Sequence, residues 1–133
     1  MLKHEKGFTL IELIMVIVLL GLLAVVAIPQ YTNLQTEAKV AAEQGVVGGV
    51  RSGIYTKYAA NLAQGVTPAY PATLGGAAGA CTVANGCFGN VLAQPVTQDW
   101  TCLTAGLTYR GPSSATNIYT YAPGTGTFTQ TTP

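Results

Sequence analysis

Charge is what this sequence lacks. Only 8% of its 133 residues are Asp, Glu, Lys or Arg, against about 25% in ordinary soluble domains. A surface so poor in charge is either covered by neighbours or dressed with small polar groups. The second half, rich in Thr, Ser, Gly and Ala, fits both. Histidine is scarcer still, with His4 the single example, and Asp99 is the only acidic residue in the second half. Ser113, Ser114 and Cys102 thus have no histidine base beyond the first few residues, and nucleophilic catalysis has almost nothing to stand on. No enzyme activity is expected. Basic residues are equally sparse. The formal net charge is +1, and beyond residue 7 the cations are Lys39, Arg51, Lys57 and Arg110, scattered along the chain. Phosphate recognition needs clustered cations, so nucleic-acid binding by the monomer is not expected. A basic patch would arise only on assembly.

What the sequence does have is concentrated at its start. Lys3 and Lys6 precede an apolar stretch from Phe8 to Ile28, interrupted by Thr9, Glu12 and Gly21. At about 1.5 Å per residue this makes roughly 31 Å of helix, one hydrocarbon thickness. The basic residues place the N-terminus in the cytoplasm and the rest outside, in a single pass. A secretory signal peptide cut after Ala27 is an alternative. The length of the stretch, the carboxylate within it and Pro29 beside the cut all weigh against it. A plain membrane anchor explains the length but not Glu12, because a carboxylate at the centre of a membrane helix costs about 2.5–3.5 kcal/mol.

The run Lys6-Gly7-Phe8-Thr9-Leu10-Ile11-Glu12-Leu13 resembles the processing signal of type IV pilins and type II secretion pseudopilins. The resemblance covers about residues 3–40. It implies cleavage by a prepilin peptidase between Gly7 and Phe8, N-methylation of Phe8, and a glutamate, Glu12, at the fifth position of the mature chain. It also implies that Gly21 and Pro29 soften the membrane helix as a subunit leaves the bilayer. The physical sense is independent of the family. Cleavage creates a positive amine one helical turn from Glu12, and in a polymer Glu12 can meet the Phe8 amine of the next subunit. An unpaired buried charge is costly, so wrong registers are penalised.

Beyond Pro29, which removes a backbone donor and is expected to kink or locally melt the helix, the chain turns polar but keeps a helical rhythm. Val40, Val47, Val50, Ile54, Tyr58 and Leu62 draw an apolar stripe. Glu37, Lys39, Glu43, Arg51 and Lys57 are read as lying off it. Gly45, Gly48, Gly49 and Gly53 allow close packing or mark a weak point. The helix is expected to end near Asn61 to Gly65. Pro68 to Gly89 reads as loop. Leu107 to Arg110, Ile118 to Tyr121 and Thr127 to Thr131 read as strands, with Leu103 in a candidate first strand. The fold expected is α+β: a long N-terminal helix, membrane-spanning in its first half, packed on a small C-terminal antiparallel sheet of three or four strands. The corresponding division is a leader (1–7), an assembly segment (8–31), an amphipathic half-helix (32–62) and a globular part (63–133).

Three cysteines, Cys81, Cys87 and Cys102, fit no zinc spacing. In an exported domain they give one disulfide and one odd thiol. Cys81–Cys87, closing a short loop around Asn85-Gly86, is favoured; a longer loop from either of them to Cys102 is the alternative. Pseudopilins carry a calcium loop near the C-terminus, but calcium takes about six to eight oxygens, usually with several carboxylates, and here there is only Asp99. No metal or other cofactor is expected. The resemblance implies a structural subunit of a pilus-like filament for adhesion, motility or DNA uptake, anchored in the bacterial inner membrane and then displayed at the cell surface. A major pseudopilin is the alternative, and a membrane-anchored binding module that never polymerises is a third reading. The implied partners are copies of the chain itself, inner-membrane lipid, the prepilin peptidase and a pilus or secretion assembly machinery.

Overall fold

The computed structural model describes residues 7–131; the leader residues Lys3, His4 and Lys6, like the last two residues, lie outside them. Among the described residues a single helix, α1 (Leu10–Ala63), is followed by five strands: β1 (Gly79–Ala80), β2 (Thr101–Thr104), β3 (Thr108–Arg110), β4 (Ile118–Ala122) and β5 (Thr127–Thr131). The chain divides into two compact units, one ending at Glu37 and one beginning at Ala38.

In the first unit no side chain from Gly7 to Glu37 is buried. Leu, Ile and Val are presented on every side of the helix, the pattern of an element made for an apolar surrounding. In the second unit α1 buries one narrow stripe, Glu43, Val47, Val50 and Ile54, at spacings of four, three and four. The expected stripe is therefore right at its centre and wrong at its ends. Val40 and Leu62 are exposed, Tyr58 is half-buried, and Glu43, read as lying off the stripe, is on it at 2% exposure.

Two glycines decide how closely the helix packs. A Cβ on Gly53 would collide with the carbonyl of Val91, whereas Gly45 and Gly48 meet nothing. Close approach is thus the role of Gly53, and the other two are points of low helix propensity. The helix stops where the sequence indicates. Gly65 takes a positive φ of 70°, and the Val66 amide donates to the Asn61 carbonyl at 2.9 Å. That is the six-to-one bond of a Schellman cap.

The sheet is antiparallel throughout, in the order β1-β2-β3-β4-β5. β1, within the segment read as loop, is the strand beyond the expected three or four. Two residues, Gly and Ala, carry no alternation that could announce it. Period-two alternation sorts the other strands. Cys102, Tyr109, Tyr119, Tyr121 and Phe128 are buried, while Thr101, Thr108, Thr120 and Thr129 lie on the opposite face, with Thr108, Thr120 and Thr129 in register across three strands. The segment between α1 and β2 also feeds the core, through Leu74, Phe88 and Trp100. Phe88 packs on Trp100 at 5.3 Å and on Tyr109 at 4.2 Å between ring centres.

Glu43 ties helix to sheet. Its carboxylate accepts from the Tyr119 hydroxyl at 2.6 Å and from the Ser113 amide at 2.8 Å. The Gly111 backbone is pressed against it so tightly that a Cβ there would overlap the carboxylate. Burial pushes the Glu43 pKa up, but the hydrogen bonds of Ser113, Tyr119 and Asn117 outweigh it and hold the carboxyl below its ordinary value. Burial and the bond to Glu43 push the Tyr119 hydroxyl up to about 12, with the Arg51 cation opposing them. Tyr119 therefore remains a donor across the physiological range.

Two outcomes are expected for the isolated subunit in detergent. Gly53→Ala should lower its unfolding free energy by roughly 1–3 kcal/mol, while Gly48→Ala should raise it by up to about 1 kcal/mol. Thermal melts of the two variants check the opposite signs. A carboxyl whose folded pKa is depressed contributes stability that is complete above the unfolded value, about 4.3, and is lost as pH falls through the folded value. Melting temperature should therefore drop below about pH 4, and Glu43→Gln should flatten that acid limb. Glu43→Ala, which strands the Tyr119 hydroxyl and the Ser113 amide, should cost about 2–4 kcal/mol at neutral pH.

Candidate functional site: the start of the N-terminal helix

The residues singled out at the start of the chain meet in one helical turn. Phe8 is 94% exposed and stands just before α1. Thr9 occupies the N-cap: its hydroxyl accepts from the Glu12 amide at 3.3 Å. Glu12 reaches back, its Oε2 accepting from the Thr9 amide at 2.8 Å and from the Thr9 hydroxyl at 2.8 Å. This is a capping box, Thr-x-x-Glu, in which two otherwise orphaned backbone donors are satisfied reciprocally. The signature Thr9-Leu10-Ile11-Glu12 stands in the sequence, and reading Glu12 only as half of an ion pair passes over it. The carboxylate therefore already has partners within its own chain. Phe8, Glu12, Leu13, Met15 and Val16 line an open groove on this turn, apolar apart from the carboxylate.

Further along, α1 continues through Gly21 and Pro29 without interruption, so the melted turn considered for Pro29 does not form. Pro29 still offers no amide to the carbonyl of Val25 four residues earlier. The Thr32 hydroxyl donates to the Pro29 carbonyl at 2.9 Å, and Thr36 to the Thr32 carbonyl at 3.2 Å. Side-chain back-bonding of this kind weakens and bends helices, so the region around Pro29 combines a missing donor with two competing ones. Gly21 meets no neighbouring atom. Among the described residues α1 is the one helix long and apolar enough to cross a membrane.

In the globular unit the favoured disulfide is formed. Cys81 and Cys87 are bonded across Cα atoms 5.5 Å apart, and Cys102 is a free, buried thiol. The Cys102 sulfur accepts from the Gly106 amide at 3.4 Å, inside the β2–β3 connection. Among the described residues no three His, Cys, Asp or Glu side chains converge into a metal-binding group.

Residues 2–28 match the model of the prokaryotic N-terminal methylation motif. Among curated proteins, the type IV major fimbrial protein FimA of Dichelobacter nodosus is 44% identical over 52 residues, which is 39% of this chain and 33% of that one. The fimbrial protein EcpC of Eikenella corrodens is 36% identical over 91 residues, 68% of this chain and 55% of its own. The type IV narrow pilus major component PilA5 of Thermus thermophilus is 45% identical over 49 residues, 37% of this chain and 42% of its own. The matched part thus spans about a third to a half of the length of these relatives. No solved structure matches the chain. The methylation motif spans the helix-capping turn of Thr9 and Glu12, and over part of its length the chain is similar to type IV fimbrial proteins.

Proposed function

We propose that this chain is the building unit of a surface pilus, cleaved between Gly7 and Phe8, N-methylated on Phe8 and polymerised through its N-terminal helix. The observation that carries the reading is Glu12. It is the only charged residue from Gly7 to Thr36, in a helix segment whose large apolar side chains are all exposed. Before assembly, lipid of the inner membrane covers those side chains, with the N-terminus cytoplasmic and the globular unit outside. After assembly, neighbouring copies cover them.

Glu12 has a different partner in each state. In the single chain Thr9 satisfies it. Cleavage turns the Phe8 nitrogen into a cationic amine, and the carboxylate of an adjoining copy is then its natural counter-charge. Giving up the Thr9 cap costs about 1 kcal/mol, less than leaving an amine and a carboxylate unpaired in an apolar filament core. The exchange therefore favours the register in which amine and carboxylate meet. Low helix propensity at Gly21 and the missing donor at Pro29 let the membrane half of α1 adjust as a copy leaves the bilayer. Fimbrial relatives favour a surface pilus over a short secretion pseudopilus, and prepilin peptidase and an assembly machinery are the partners this route requires.

Mass spectrometry of the chain from sheared surface fractions should show a first residue Phe8 carrying one methyl group. A chain that starts at Met1, or after Ala27, would overturn the processing step. Glu12→Ala should keep membrane anchoring and reduce filaments at least about ten-fold, the effect of losing one buried charge pairing, scored by electron microscopy. Thr9→Ala, which removes only the cap hydroxyl of the monomer, should leave filament yield near wild type. Equal loss in both variants would mean that Glu12 acts as a helix cap and sets no register.

A further inference from the structure

We infer that Asn85 is a latent deamidation site, kept unreactive by the disulfide-closed loop, whose conversion to aspartate or isoaspartate unpins the segment leading into β1. Asn85 is the only asparagine followed by glycine; Asn33, Asn61, Asn90 and Asn117 precede Leu, Leu, Val and Ile. Deamidation begins with attack of the next residue's backbone nitrogen on the side-chain carbonyl carbon. A glycine at that next position, lacking Cβ, hinders the attack least. By local chemistry alone, position 85 is the most susceptible in the chain.

The fold opposes this reaction with specific contacts. The Asn85 Oδ1 accepts from the Ala77 amide at 2.7 Å. Its Nδ2 donates to the Ala77 carbonyl at 3.0 Å and to the Ala80 carbonyl at 3.2 Å. The backbone is held as well: the Asn85 amide donates to the Thr82 hydroxyl at 3.1 Å, and the Thr82 amide to the Asn85 carbonyl at 3.0 Å. Gly86 is wedged against Pro95, where a Cβ would come within 2.5 Å of the proline ring. Cys87 and Val96 exchange a pair of backbone hydrogen bonds at 2.9 Å. The Cys81–Cys87 bond closes the loop over all of this. A carboxamide fixed by three hydrogen bonds beside an immobilised glycine cannot search for the geometry of attack. Reaction therefore requires local opening, and the disulfide limits that opening by keeping the loop ends together.

Chemically, the Gly86 nitrogen bonds to the Asn85 Cγ, its proton passes to solvent base, and Nδ2 leaves as ammonia. Water then opens the resulting succinimide at either carbonyl. The net change takes in one water and releases one ammonia, with no oxidant or cofactor. The product places a carboxylate oxygen where Nδ2 faced the carbonyls of Ala77 and Ala80. Two donor–acceptor contacts become acceptor–acceptor contacts, which cannot be satisfied in place. Strand β1, whose Ala80 supplies one of those carbonyls, loses its support from this side and keeps only its short pairing with β2.

The experiment is peptide mapping by mass spectrometry of the full chain in detergent micelles, incubated at mildly alkaline pH. One sample keeps its disulfide and the other is reduced and alkylated. The expected result is modification at Asn85 ahead of the other four asparagines, and at least about ten-fold slower in the oxidised form, as for a reaction gated by local opening. Equal rates in the two forms, or modification spread evenly over the five asparagines, would overturn the inference. Hydrogen exchange of an Asn85→Asp variant tests the second half independently. The amides of Ala77 and Cys81 should lose protection while those of β3 to β5 keep theirs, and unchanged protection at Ala77 and Cys81 would show that the side chain pins nothing.

Discussion

One continuous helix has to serve two solvents, and most of the molecule follows from how it does so. From Leu10 to Ile28 its side chains demand an apolar surrounding on all sides. From Glu43 to Ile54 they ask for cover on one side only. The second demand fixes where the sheet goes. Val47, Val50 and Ile54 supply the apolar surface, Gly53 lets the Val91 backbone come close, and Glu43 fixes the position with two hydrogen bonds. A sheet of five short strands is marginal by itself; laid on this stripe it gains a second layer. The first demand is not met among the described residues; a lipid bilayer or other copies are the covers proposed above. The proposed membrane residence and the proposed polymerisation are two solutions to the same exposure.

Polar groups in this molecule are few, and the important ones hold particular pieces together rather than add general stability. Glu43 is costly to bury unless paired, and its pairing to Tyr119 and Ser113 selects one placement of the helix on the sheet. Asn85 does the same for the cystine loop. Glu12 is satisfied by Thr9 in a way that can be undone at small cost. In each case the backbone groups around the side chain are served by it, which is why a handful of polar residues suffices.

Legibility from sequence followed the strength of periodic and local signals. The long apolar helix, the end of α1 near Gly65, the strands around Tyr109, Tyr119 and Phe128, and the Cys81–Cys87 disulfide all carry chemistry within a few neighbouring residues. Glu43 was hidden because its charge suggests solvent, although its spacing of four from Val47 places it on the buried face. β1 was hidden because Gly79 and Ala80 have no side chains to alternate. The core contributions of Leu74 and Phe88 depend on a long segment whose path is set by distant contacts. Phe88 even adopts a positive φ of 62°, a conformation no local preference of phenylalanine predicts. At the N-terminal site the roles proposed for Gly7, Phe8 and Glu12 rest on a short motif, whereas the cap made by Thr9 needed the geometry of the helix start.

The alternation of the sheet has a consequence for how such a chain can diverge. Tyr109, Tyr119, Tyr121 and Phe128 occupy one face and Thr101, Thr108, Thr120 and Thr129 the other. Because neighbouring positions belong to opposite faces, substitutions among the threonines leave the aromatic layer untouched. The same strands can therefore keep one aromatic interior beneath an outer face whose residues change independently of it.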